Sequence, residues 1–277
     1  MWLSWKIAVA CALALGAVSM APHPWRFPAL RPAWRPWVRE AGVVFFFYAT
    51  WRRLGEVSLM GTGGALRRGR QLWDLERALH LPDERTLQRW TLHAEWLVRF
   101  ANLYYIVVHV APVGVFLVWL FARHRPVYRR WRTTLGLSSL AVLAIQWVPL
   151  APPRFYPQLG FVDTGALYGP RVYDDVGVTT AGQLSAMPSM HVAWAVVIGL
   201  AVFLSARSRW RWVGPAHALL TVFAVTVTGY HWLGDGIVAA AVVGVFAVAT
   251  GRWYGRRDHD SAEVTWRAAA TTAAPNR

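Results

Sequence analysis

Long apolar blocks separated by short polar segments dominate this chain. The runs cover residues 7–20, 43–51 (extending toward 60), 101–121, 135–150, 192–206, 212–230 and 233–250. A membrane-crossing helix needs about 20 residues, within a range of about 17–25. The five later runs reach that length, or come close once their flanks are counted. The run 7–20 follows Lys6 and also has the form of a signal-peptide core. A retained anchor is expected, because the residues after it make a poor cleavage context and the next segment is rich in arginine. The run 43–51 is interrupted by Arg52, Arg53 and Glu56. The pattern predicts an all-α, polytopic membrane helix bundle.

Arginine orients the bundle. Arg123, Arg125, Arg129, Arg130 and Arg132 lie between the third and fourth runs, Arg207, Arg209 and Arg211 between the fifth and sixth, and Arg252, Arg256 and Arg257 after the last. The positive-inside rule makes each of these places cytoplasmic. Segments 151–190 and 230–235 then fall on the extracytoplasmic side. Arg26, Arg31, Arg35 and Arg39 make 21–40 cytoplasmic. Residues 61–93 form a polar outer connector. Within it, Leu72, Trp73, Leu75 and Leu79 have a helical spacing that predicts an interfacial helix over 71–81. The division expected is 1–40 for the anchor and Arg-rich segment, 41–257 for the membrane domain, and 258–277 for a disordered tail.

Composition agrees with a bilayer. The chain is 56% hydrophobic, above the usual share for a soluble protein. Its 18 tryptophans include several at block edges, where an indole sits well in the headgroup layer. The net charge of +15 would suggest nucleic acid in a soluble protein, but here the arginines mark loops between spans. Nucleic acid is therefore not expected, and anionic lipid headgroups are the natural electrostatic partner. Lys6 is the only lysine, which excludes a P-loop. Cys11 is the only cysteine, which excludes an internal disulfide and a cysteine-based metal site. The preference for arginine, with abundant Ala and Val, points to a high-GC bacterial source and a plasma-membrane location.

Three polar patches share the expected outer side: Ala151-Pro-Pro-Arg154, Ala186-Met-Pro-Ser-Met-His191 and His231-Trp-Leu-Gly-Asp235. Pro188 and Ser189 precede an apolar run and read as a helix start, whose free N–H groups would face an anion. His191 sits in that first turn and could protonate a leaving oxygen. The plain alternative is a capped helix start with an interfacial histidine. On a helix, His231 and Asp235 would share a face, and the carboxylate would fix the imidazole tautomer and leave the other nitrogen nucleophilic. The alternative there is a His–Asp bond that only ties helices together. Arg154 follows a span end, and its guanidinium could grip two phosphate oxygens or simply anchor to headgroups. Arg171 in the same loop is a weaker candidate. Asp163, Asp174 and Asp175 more readily make turns than bind metal.

In order and on one side, these motifs resemble the type 2 phosphatidic acid phosphatase superfamily. Met187-Pro-Ser-Met-His191 and His231-x-x-x-Asp235 resemble its second and third signatures. Pro152-Pro-Arg154 resembles the shortened first signature of the branch containing inositol phosphorylceramide synthases and their bacterial relatives. Leu75-Glu76, Glu84 with Gln88, Asn102 with Tyr105 and His109, and Asp163-Thr164 are similar to that branch too. The resemblance covers roughly 71–250. It implies a six-helix core, with one extra N-terminal span here, and a site near the outer headgroup layer. It also implies a metal-free, cofactor-free mechanism. His231 would attack phosphorus, Asp235 orient it, and His191 protonate the leaving group. Arg154 and the Ser189 region would hold the phosphate. The implied substrate is a lipid phosphate or phospholipid, with a polyol as candidate acceptor. Two phosphate-binding cations of the hydrolases are missing, since Trp147 and Val225 occupy their positions. Arg52, Arg53 and Arg171 are the candidates to replace them, and Tyr105 and His109 could also reach the site.

Two other classes compete. A metal-dependent membrane oxidase would need close-set histidine boxes, and the nine histidines here are scattered. A non-catalytic transporter or scaffold for anionic lipids would need neither histidine.

Overall fold

The computed structural model describes residues 3–20, 33–55, 63–107, 110–169 and 183–272. Among them the chain is all-helical, apart from an isolated bridge between Leu150 and Ser185. The helices are α1 (Trp5–Met20), α2 (Arg35–Gly55), α3 (Ala65–Ala78), α4 (Glu84–Leu92), α5 (Glu95–Val107), α6 (Ala111–Arg123), α7 (Arg125–Gln146), α8 (Thr164–Tyr168), α9 (Met190–Ser205), α10 (Val213–Val227) and α11 (Leu233–Thr272). Local chemistry explains several starts. Asp83 caps α4 by accepting from the amides of Arg85 and Thr86, and Ser189 caps α9 by accepting from Val192. Proline stands in the first turn of α6 and of α7, where its missing N–H is not needed.

Cross-helix contacts fix how the bundle runs. Thr134 meets Thr250 at 2.6 Å and Thr133 meets Tyr254 at 3.1 Å, which sets α7 antiparallel to α11. Helices α9 and α10 pack through Gly199 and Gly214, where an added Cβ on Gly214 would fall 2.9 Å from the Gly199 carbonyl. Glu40 pairs with Arg132 at one end of α2 and α7, and Trp147 donates to the Leu54 carbonyl at the other, so these two run parallel. One end of the bundle therefore carries the C-termini of α6 and α9 and the starts of α7 and α10, with Arg123, Arg125, Arg129, Arg207, Arg209 and Arg211. The opposite end carries the starts of α9 and α11. The main core, around Leu120, Trp131, Val142, Val197 and Val243, lies between them. A second cluster built on Trp73, Tyr156, Phe161 and Trp232 caps the end opposite the arginines.

Leu233–Arg256 is the one described helix long and apolar enough by itself to cross a membrane, and α5 with α6 passes as a pair bent by 55°. The run 101–121, expected as one span, is thus divided between two helices. Helix α2 begins well before the apolar stretch 43–51 and takes Arg35, Arg39 and Glu40 into its first turns. Helix α7 is long enough but not apolar enough, because Arg125, Arg129, Arg130 and Arg132 occupy its start. Helix α10 has 15 residues but is led by the 3₁₀ turn Arg209–Trp212; together they span about 30 Å at ordinary rises. The interfacial helix expected over 71–81 is Ala65–Ala78. Its buried face is Ala65, Gly69, Leu72, Trp73 and Glu76, while Leu75 and Leu79 face outward. Tertiary contact with Trp232 and Ala151 selects that face over the apolar period. The backbone of α11 continues to Thr272, into the stretch expected as a tail.

Candidate functional site

Three short segments bring the polar patches together at the end opposite the arginines. The segment after α7 pairs with the segment before α9: Leu150 N–H donates to Leu184 O at 2.6 Å and Ala186 N–H to Leu150 O at 3.1 Å. Arg154 N–H donates to Gly229 O at 3.0 Å, which joins the first patch to the turn before His231. Gly229 has φ +73°, a conformation that favours glycine, and Gln88 and the Val162 carbonyl crowd the place a Cβ would take. Gln88 fastens this turn by donating to the carbonyls of Val162 and Val227, both at 3.0 Å. Asn102 does the same for α8 through Thr164, whose hydroxyl also reaches Thr228 O at 3.1 Å.

His231 lies just before α11, not on it, which corrects the helical reading of its four-residue spacing to Asp235. The pair still forms, because Asp235 reaches back over the helix start. Its Oδ2 lies 3.3 Å from His231 Nδ1 and accepts Trp232 N–H at 2.9 Å. Nδ1 is also 2.9 Å from the Ala186 carbonyl. A carbonyl can only accept, so Nδ1 carries a proton, and in the neutral ring the lone pair then stands on Nε2. His231 is 6% exposed and Asp235 fully buried. His191, in the first turn of α9, stands 5.8 Å from His231 between ring centroids, at 59°. Ser189 has its hydroxyl on Val192 N–H at 3.3 Å and its own N–H on Asp235 O at 3.2 Å. It holds the second and third patches against each other.

A column of rings links the cation to the histidine. The Arg154 guanidinium lies 4.7 Å from the Tyr230 ring, Tyr230 stacks on Tyr105 at 4.5 Å, and Tyr105 stacks on His191 at 4.1 Å. An aromatic face favours a charged imidazolium over a neutral ring. Arg154 is itself buried, with Asp163 3.8 Å away and the Gln183 carbonyl at 3.5 Å. Asp163 also caps α8 by accepting Ala166 N–H at 3.0 Å. Tyr105 thus reaches the site by stacking on both Tyr230 and His191.

The other candidates fall elsewhere. Arg53 stacks over Trp5 at 5.6 Å, and Arg52 occupies the same last turn of α2 beside Tyr48. Neither is brought onto the histidine pair. Arg171, His109, Asp174 and Asp175 lie outside the described residues. Trp147 donates its indole N–H to Leu54 O, and Val225 is buried with its carbonyl accepting His231 N–H at 3.2 Å. Spacing does not single out Tyr230 or Trp232; their adjacency to His231 is the only signal. Among the described residues no group of three or more His, Cys, Asp or Glu is placed to hold a metal ion.

Between α2, α6, α7 and α9 lies an apolar cavity of about 170 Å³. Val44, Phe47, Trp51, Leu117, Leu135 and Trp194 line it. Trp194 is one helical turn along α9 from His191 and stacks obliquely on Trp51 at 5.5 Å.

Neither the curated proteins nor the solved structures gave a match to this chain. The sequence model of the PAP2 superfamily matches residues 70–249, about two thirds of the length. That span begins in α3 and ends in α11, and contains His191, His231, Asp235 and Arg154. Members of this superfamily are usually phosphatases or phosphotransferases acting on phosphorylated, commonly lipid, substrates. The chain belongs to the PAP2 superfamily.

Proposed function

We propose that this protein is a polytopic membrane phosphatase or phosphotransferase that moves a phosphoryl group from a lipid phosphate through a phosphohistidine on His231. The observation that carries this reading is the bond of His231 Nδ1 to the Ala186 carbonyl, with the second imidazole 5.8 Å away. Nε2 attacks phosphorus as the bond to the leaving oxygen breaks. His191, protonated against the face of Tyr105, gives its proton to that oxygen. Water or an acceptor hydroxyl then attacks the phosphohistidine, His191 takes the incoming proton, and His231 returns to its neutral form. Arg154, aimed by Tyr230 and Asp163, holds the non-reacting oxygens, with the start of α9 and its Ser189 cap beside them. No step needs a metal.

The membrane reading rests on charge and surface. The arginine-bearing turns 123–132 and 207–211 share one end and the His191–His231 pair lies at the other, which under the positive-inside rule supports a site on the extracytoplasmic side of a bacterial plasma membrane, against the further arginines that α3 and α4 carry at the site end. Large apolar side chains such as Val115, Leu137, Leu204, Leu219, Val245 and Val248 are exposed on the bundle's flanks, as a hydrocarbon solvent would favour. The apolar cavity beside Trp194 would take the substrate's hydrocarbon chain. The shortened first motif and the absent hydrolase cations favour the inositol phosphorylceramide synthase-like branch, with a polyol as acceptor.

The test is phosphate release from a labelled lipid phosphate, with and without inositol, in the presence of strong chelator. Turnover that survives chelation and disappears in His231→Ala supports the reading. Turnover that His231→Ala retains would overturn His231 as the nucleophile, and a parent that binds lipid phosphate without turning it over would leave a non-catalytic lipid carrier or scaffold as the better description.

A further inference from the structure

Three successive amides at the start of α11 end on three different carboxyl groups. Trp232 N–H donates to Asp235 Oδ2 at 2.9 Å, Leu233 N–H to Glu84 Oε1 at 3.1 Å, and Gly234 N–H to Glu76 Oε1 at 2.6 Å. An ordinary helix start is capped by one short side chain at the residue before it. Here that residue is Trp232, which has no capping oxygen, and Asp235 is shared with His231. The missing caps come from α3 and α4, which the functional reading leaves without a role. We propose that Glu76 and Glu84 are positioning residues for His231, a two-point carboxyl clamp on α11 that fixes where the imidazole stands. The inference rests on His231 being the nucleophile.

The clamp is built at a cost that a surface cap would not incur. Glu76 is 1% exposed and Glu84 fully buried, and they lie beside the equally buried Asp235. Arg77 donates to Glu84 Oε2 at 3.1 Å and so balances one charge. Burial, then the bond to Glu84 and its charge, push the Glu76 carboxyl up to about 9. At neutral pH Glu76 therefore keeps its proton beside Glu84, while Oε1 accepts from Gly234. The close approach needs a glycine: a Cβ at Gly234 would meet Glu76 Oε1 at 2.9 Å and Leu72 Cδ1 at 3.0 Å. The charged or titratable groups facing Glu76 are Glu84 of α4, with its partner Arg77, and Asp235 of α11, itself bonded to His231.

The direction of each bond makes the clamp testable by conservative exchange. A glutamine at 76 can accept from Gly234 and stays uncharged beside Glu84, as the protonated acid does. A glutamine at 84 would turn an amide donor toward the Arg77 guanidinium or the Leu233 amide. With phosphatidic acid in mixed micelles as probe and full-length protein, Glu76→Ala and Glu84→Gln are expected to lower kcat by about 100-fold, with KM within about twofold. Glu76→Gln is expected to restore kcat to within about threefold of the parent at neutral pH and to remove a loss of kcat that the parent shows near pH 9. A second readout does not need turnover. Hydrogen exchange across residues 230–236 should quicken about tenfold in Glu76→Ala and Glu84→Gln while the rest of α11 keeps its protection. A parent that releases no phosphate from any lipid, yet shows this local change, would sink the functional reading and leave the clamp. Unchanged exchange, an effect on KM alone, or a Glu76→Gln protein as impaired as Glu76→Ala with the same alkaline loss would overturn the clamp. Should Glu76→Ala fail to fold, the Glu76→Gln pH profile decides.

Discussion

The indole N–H of Trp232 donates to the Ala151 carbonyl at 2.9 Å, and so ties the residue after His231 to the segment that leads into Arg154. The ring also packs against Trp73, Tyr156 and Phe161 at centroid distances of 5.8, 5.6 and 5.4 Å. Trp232→Phe keeps most of that packing and leaves a buried carbonyl unpaired. The expected cost is about 1–3 kcal/mol in thermal unfolding, with a lower kcat because nucleophile and cation lose a shared anchor. Full activity with an unchanged melting temperature would contradict this role.

Tyr105 faces His191 on one side and Tyr230 on the other. Tyr105→Phe retains both stacks. Tyr105→Leu removes them. Without the ring's face a charged imidazole loses about 0.5–2 kcal/mol of support, so Tyr105→Leu is expected to lower kcat by about tenfold. Steady-state kinetics of the two variants check this. An unchanged kcat in Tyr105→Leu would separate His191 from the stack.

Arg154→Lys tests the clamp on phosphate. The ammonium cannot lie flat on Tyr230 and also offer two parallel donors. A rise in KM and a fall in kcat, each about tenfold or more, are expected. Because the backbone bond of residue 154 to Gly229 stays, the melting temperature should change little.

Stability should also depend on pH through Glu76. Its carboxyl titrates near 4.5 ordinarily and about 9 in the folded chain. Between those values folding takes up a proton, so stability falls as pH rises through the window and levels off above it. Melting temperatures of the parent and of Glu76→Gln check this. The variant should lose that part of the slope, and an identical slope in both would contradict the buried acid.

The helical character of the chain was legible because apolar length is a strong, local signal. Helices α9 and α11 follow their apolar runs, and the Ser189 cap is readable from Pro188 and Ser189 alone. The bend between α5 and α6 was not, since hydropathy along 101–121 is continuous and carries no direction. The His231–Asp235 contact was legible from spacing, but for a different reason than its geometry: the histidine precedes the helix, and the aspartate reaches back to it. The stack of Tyr105 on His191 depends on how α5 tilts against α9, which no local pattern encodes. Glu76 and Glu84 sit in a polar connector, where carboxylates ordinarily face water. Only the docking of α3 and α4 on the start of α11 buries them.

The most direct measurement is to quench the purified protein during turnover of a lipid bearing radiolabelled phosphate and map any label it retains. The expected result is an acid-labile, alkali-stable phosphoryl group on the peptide containing His231, formed without added metal and absent from His231→Asn. A protein that turns over without retaining label, or a label that persists in His231→Asn, would contradict a phosphohistidine at this position.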